Sequence, residues 1–166
     1  MHTVFIALGS NLGDRLSNLR AAVAALEPEI KPRRCSSIYE TPPWGYPNQP
    51  KFLNQVVSAE TALEPVVVLN WLKSIEMMLG RQETFRYGPR LIDLDILFFD
   101  DLVIDTPPLV IPHPRLQERA FILVPLAELA ANLRHPRLDC TGSEMLSRVD
   151  SSGILLVHPG NCHVQG

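Results

Sequence analysis

The chain of 166 residues carries 15 Lys and Arg against 18 Asp and Glu, a net charge of −3, with 46% hydrophobic and 20% charged residues. That balance is ordinary for one soluble globular domain with a real core, and it offers no basic excess for nucleic acid. No apolar run is long enough to span a membrane, and Val4–Leu8 lacks the basic lead and the length of a signal peptide before Gly9 interrupts it. The three scattered cysteines, Cys35, Cys140 and Cys162, fit neither a disulfide framework nor zinc spacing, and they predict reduced thiols in a cytoplasmic protein.

In chain order, His2–Leu8 reads as a first strand, and the turn "GSNLGD" (9–14) supplies helix N-cap candidates. Leu16, Leu19, Val23 and Leu26 then recur at helical spacing until Pro28. Arg34–Glu40 reads as a second strand, running into the proline-stiffened loop "TPPWGYPNQP" (41–50). Phe52–Thr61 is a third strand with Phe52, Asn54, Val56 and Ser58 on one face. Pro65 opens a second helix whose apolar side is Leu69, Leu72, Ile75, Met78 and Leu79, and Gly80 stops it. After a polar loop (81–89), a fourth strand spans 92–99.

A short ribbon near 102–111, a helix over Glu118–Leu129 and a weaker ending complete the chain, with the last eight or so residues expected to be loose. The order βαββαβ predicts an α+β sandwich of ferredoxin-like type with a C-terminal extension. Its sheet is mainly antiparallel, with helices over one face.

The fourth strand raises a chemical question. Asp93 and Asp95 lie two apart, on one face and about 6.5–7 Å from each other along the strand, with Leu97 and Phe99 following on that face. Leu94, Ile96 and Phe98 point the other way. Such an acid pair is either a solvated strand edge or a site for a hard cation, which takes oxygen ligands and commonly adds phosphate. Arg81, Arg86 and Arg90 precede the pair, and His113, Arg115 and Arg119 follow it. Arginine forks suit polyphosphate, although without one they would simply pair with the acids. The G-x-x-x-x-G-K-[ST] and G-x-G-x-x-G phosphate cradles are absent, and so are C-x-x-C and H-E-x-x-H. Upstream, Trp44, Phe52 and Asn54 offer flat surface and an amide, which suit a planar heterocycle or an ordinary core. A non-catalytic RNA-binding module would need a basic-aromatic signature that this chain lacks. A metal-dependent phosphohydrolase would not need the loop at 41–50.

The stretches "ALGSNLGDR", "TPPWG", "FLNQVV", Glu76, "GR" at 80–81, "YGPRLIDLDIL" and "IPHPRLQERAF" stand in one order over about residues 4–130. In this the chain resembles the 6-hydroxymethyl-7,8-dihydropterin pyrophosphokinases of folate biosynthesis. The resemblance implies transfer of a diphosphoryl group from ATP to the pterin hydroxymethyl, leaving AMP. It also implies that Asp93 and Asp95 hold two Mg²⁺ ions and that Arg81 and Arg90 stabilise the transferred group. By the same resemblance His113 and Arg119 bind phosphates, and Glu76 and Ile96 shape the nucleotide site. Thr41, Pro42, Trp44 and Asn54 would line a pterin pocket, with the ring between Phe52 and Phe121. Small molecules, not nucleic acid or membrane, are the expected partners of a monomer. The loop from Gln82 to Pro89 is expected to act as a lid. It departs from some relatives at Glu83 and Tyr87, as the chain does again at Pro107, Pro108 and Pro114.

Overall fold

Residues 1–82 and 84–160 are described by a computed structural model. The first strand, β1 (His2–Ser10), is apolar at successive positions because the sheet is covered on both faces. Helix α1 (Arg15–Leu26) begins where the Asp14 carboxylate accepts the Ser17 N–H at 3.1 Å, one of the donors a helix start leaves unpaired. Two strands follow, β2 (Ile30–Cys35) and β3 (Ile38–Thr41), then the long β4 (Phe52–Thr61). Helix α2 (Pro65–Met78) has its proline in the first turn, where no N–H is needed. Strand β5 (Asp93–Phe99), the ribbon β6 (Ile104–Thr106) and β7 (Leu109–Ile111), and helix α3 (Ala120–Ala130) come next. Helix α4 (Gly142–Leu146) and strand β8 (Leu155–His158) end the series.

The main sheet runs β5-β1-β4-β3-β8 with β2 also on β4, and its neighbouring strands pair antiparallel. One core lies between the sheet and α1 with α2, where Val4, Ile6 and Leu8 meet Leu19, Leu26, Leu72 and Ile75. Each such fully buried leucine or isoleucine contributes about 1.5–3 kcal/mol. The opposite face packs Phe5, Val56, Leu97 and Phe98 against Ile122, Leu123 and Leu126 of α3. The expectation of helices on one face is therefore corrected: α3 covers the other.

Two further expectations change. The predicted strand over 34–40 is interrupted, because at Ser36 the ladder passes to a side chain. Ser36 N–H donates to Val56 O at 2.8 Å, while Ser36 Oγ accepts the Val56 N–H at 2.9 Å. Strict alternation along β5 also fails. Register shifts between Phe5 and Ile6, so that Phe98 pairs with Phe5 but Ile96 with Ile6, leaving Leu97 as the extra residue of a bulge. Leu97 and Phe98 both join the α3 side, and Phe99 turns to the α1–α2 side.

β8 pairs with β3 at the sheet edge, and Gly160 N–H donates to Ser37 Oγ at 3.1 Å. The chain thus returns past Cys35, which is disulfide-bonded, contrary to the expectation of three reduced thiols; Cys140 is free and buried. Of the ending expected to be loose, 161–166 lie outside the described residues, as does Glu83.

Candidate active site

On the α3 side of the sheet the central strand carries two of the smallest residues, Ala7 and Gly9. Gly9 lies opposite Asn54 on β4 and Asp93 on β5; Ala7 lies opposite Val56 and Asp95. The sheet is hollowed there, with an amide on one flank and the two acids on the other. Strands are about 4.8 Å apart, so the flanks are separated by about 10 Å. Glycine at position 9 leaves room for Asn54, since a Cβ there would stand 2.8 Å from Asn54 Oδ1 and displace that amide. Asn54 Nδ2 in turn donates to Thr41 Oγ1 at 2.6 Å, in a buried bond that fixes the amide's orientation.

The cleft over this hollow is lined by Thr41, Pro42, Trp44, Phe52, Asn54, Arg90, Asp93, Asp95, Arg119 and Phe121, together with Arg86, Tyr87 and Gly88. Trp44 and Phe121 lie 6.1 Å apart between ring centres, and the Arg119 guanidinium is 5.7 Å from each. Arg119 Nε is buried and lacks a hydrogen-bond partner among the described residues. An orphaned guanidinium N–H beside a cleft suits an anionic oxygen. Helix α3 is seated by Glu128, whose carboxylate accepts Ser37 N–H at 2.7 Å and Tyr39 O–H at 2.6 Å. That seat sets where Arg119 and Phe121 stand at the helix start.

Behind the acids, Glu76 of α2 is 6% exposed and its Oε2 accepts the Leu94 N–H at 2.9 Å, between Asp93 and Asp95. Arg81 bridges Glu76 at 2.6 Å and Asp93 at 3.3 Å, but does not line the cleft. All three carboxyls are raised from their ordinary range. Desolvation acts first on each; the charge of Asp95 adds to it at Asp93, and that of Glu76 at Asp95. Asp93 and Glu76 both rise to about 6, although 37% of the Asp93 side chain is reached through the cleft. The acids therefore sit where charge is poorly solvated and mutually repelled, an arrangement a cation relieves. No group of three or more His, Cys, Asp or Glu side chains that could hold a metal ion occurs among the described residues.

Besides Glu76 and Arg81, two more expected residues lie outside the cleft lining. Ile96 is 5% exposed in the α1–α2 core, because even positions before the Leu97 bulge face away from the acids. His113 does not line the cleft; its N–H donates to Leu97 O at 3.0 Å, and desolvation, then Arg119 and Arg115, lower its pKa to about 4. Sequence reasoning passed over Ala7, Gly9, Asn11 and Gln49. Gly9 was read as the start of the turn at 9–14, whereas the structure places it within β1.

The sequence model of the 7,8-dihydro-6-hydroxymethylpterin-pyrophosphokinase (HPPK) family matches residues 5–131. The 2-amino-4-hydroxy-6-hydroxymethyldihydropteridine pyrophosphokinase of Aquifex aeolicus is 45% identical over 136 residues, 82% of this chain and 85% of that one. The Bacillus subtilis protein of that name is 50% identical over 127 residues, 75% and 76% of the two chains. The chain belongs to this family. It also spans 23% of the Dictyostelium discoideum folic acid synthesis protein FOL1, at 41% identity over 90% of its own length. A solved structure of Plasmodium falciparum HPPK-DHPS with pteroate superposes over 89% of this chain and 42% of that one, with a TM-score of 0.74 at 18% identity, a likeness of fold.

Proposed function

We propose that the protein transfers diphosphate from ATP to the hydroxymethyl group of 6-hydroxymethyl-7,8-dihydropterin in folate biosynthesis, giving AMP and the pterin diphosphate. The observation that carries this is the placing of the Asn54 amide and the Asp93–Asp95 pair on opposite flanks of the Ala7–Gly9 hollow. The pterin edge meets Asn54 and Thr41, and its ring is held by Phe52, Phe121 and Trp44 over Pro42. The hydroxymethyl group then reaches towards the acids.

Asp93 and Asp95 would hold Mg²⁺, which we read as two ions, and the metal would offset phosphate charge and acidify the attacking hydroxyl. The β-phosphorus–oxygen bond to AMP breaks as the bond to the pterin oxygen forms. Arg90 and Arg119 line the cleft and would offset the charge carried through it. Arg81, released from Glu76 and Asp93 by the charge of the incoming phosphates, joins them. Glu76 holds Leu94 and so the spacing of the acids, while His113, kept neutral but outside the residues that line the cleft, would need a change in the cleft to reach a phosphate. Ile96 contributes only backbone.

The strand order supports a ferredoxin-like sandwich extended by α4 and β8, and we read residues 1–166 as a single domain. We also read it as a monomer acting on small molecules, with neither nucleic acid nor membrane as partner; the net charge of −3 supports this. No helix among the described residues is long and apolar enough to cross a membrane. We read the location as cytoplasmic, where ATP is supplied. Incubation with ATP, Mg²⁺ and the reduced pterin tests the reaction: AMP should form only when the pterin is present. Release of ADP, or nucleotide cleavage without pterin, would indicate a phosphohydrolase instead.

A further inference from the structure

The walls of the cleft meet through two side-chain amides that do not line it. Asn11, on the turn after β1, is 2% exposed and has its whole amide engaged. Its Nδ2 donates to Gln49 Oε1 at 2.9 Å and to Pro50 O at 3.0 Å, and its Oδ1 accepts the Arg90 N–H at 2.8 Å. The backbone closes the pair, with Asn11 N–H donating to Arg90 O at 3.0 Å. Gln49 carries the chain onward: its Nε2 donates to Tyr46 O at 2.8 Å and to Tyr87 O at 2.6 Å. The proline-rich wall and the Tyr87–Arg90 wall are thus joined at both ends of the latter.

Tyr87 needs such a restraint. Its φ of 60° is a region that bulky residues occupy only when their surroundings impose it. Arg90 shows the complementary feature. Among the described residues its guanidinium nitrogens reach the carbonyl oxygens of Phe85, Gly88 and Pro89, each at 3.3 Å. Those are long bonds, readily exchanged for phosphate oxygens, whereas the main chain of the same residue is held at 2.8 and 3.0 Å. The backbone is clamped by the shorter bonds, and the fork is held by the longer ones.

We propose that Asn11 and Gln49 are positioning residues that bridge the two walls and set where Arg90 delivers its charge. The inference rests on the diphosphotransferase reading above. An amide is required at 49 because the position both accepts from Asn11 and donates to Tyr87, which neither a carboxylate nor a thioether can do.

The test measures single-turnover AMP formation by the full chain with ATP, Mg²⁺ and the reduced pterin, alongside KM for the pterin and the melting temperature. Gln49→Met should slow the single-turnover rate by about tenfold to a hundredfold, the scale of a misplaced group, with pterin KM changed less than about threefold. In an Arg90→Ala background the same substitution should slow it by less than about twofold, because the two residues act as one unit. Gln49→Glu keeps the acceptor for Asn11 and loses both donors, so it should behave like Gln49→Met and stands in for it if the thioether variant does not fold. Full-rate turnover by either variant, or an undiminished effect of Gln49→Met on top of Arg90→Ala, overturns the inference alone. A wild-type chain that makes no AMP overturns it together with the reading on which it rests.

Discussion

Asp93 concentrates the electrostatic cost of the site in one side chain. Its folded pKa of about 6 lies above the ordinary 3.8, so the folded state holds the proton more tightly. The stability this contributes is fully present below about pH 3.8 and is lost as pH rises through 6. Glu76, raised from 4.5 to about 6, follows the same sign, whereas His113, lowered from 6.5 to about 4, opposes it between those values. Asp93→Asn removes the repelled charge, so without ligands it should melt above the wild type near pH 7.5, with the gap closing towards pH 4.5. The same variant should lose nearly all turnover. Thermal scans across pH check the first statement, and a variant that melts lower than wild type at pH 7.5 contradicts it.

Phe121 and Gly9 test the opposite flank. Phe121→Ala should weaken pterin binding by about 1–3 kcal/mol, the worth of a lost stacking partner, and leave a nucleotide analogue nearly unaffected in calorimetry. Equal losses for both ligands would make Phe121 a core residue. Gly9→Ala places a methyl 2.8 Å from Asn54 Oδ1 and must push that amide aside. Pterin affinity should fall while the melting temperature changes little, because the open cleft lies above.

Among the elements, the segment Thr84–Gly88 tests the expected lid. Arg86, Tyr87 and Gly88 line the cleft from this loop, and Phe85 packs edge-on against Tyr46 at 4.8 Å across to the other wall. Replacing Thr84–Gly88 with glycines while keeping Arg81 and Arg90 should lower kcat far more than it weakens pterin binding, since the acids and the ring pocket stand on the sheet. Rapid-quench kinetics showing an unchanged chemical step would make the segment a connector.

The elements were largely legible in the sequence where period and punctuation agreed. Asp14 and Pro65 mark helix starts, and Phe52–Thr61 forms one strand with the predicted bounds. What escaped depended on partners far along the chain. The break at Ser36 needs the Val56 backbone, and the bulge at Leu97 needs the register of β1. The acids, arginines and aromatic residues of the site could be read as residue types. The hollow at Ala7 and Gly9 could not, because an absent side chain signifies only once its cross-strand neighbours are known.

At the scale of the whole molecule, the sheet separates two tasks. One face, under α1 and α2, is a continuous apolar core that holds the strands in register. The other is closed by α3 around Phe5, Val56 and Leu97 and left open at Ala7–Gly9, where the strands present Asn54, Asp93 and Asp95. A rigid platform of this kind suits phosphoryl chemistry, in which alignment and charge do most of the work. The most direct test of the account uses ATP labelled in its β-phosphate, with Mg²⁺ and 6-hydroxymethyl-7,8-dihydropterin. The account predicts that the label passes to the pterin together with the γ-phosphate while unlabelled AMP is released. Label remaining on ADP, with a single phosphate on the pterin, would contradict it.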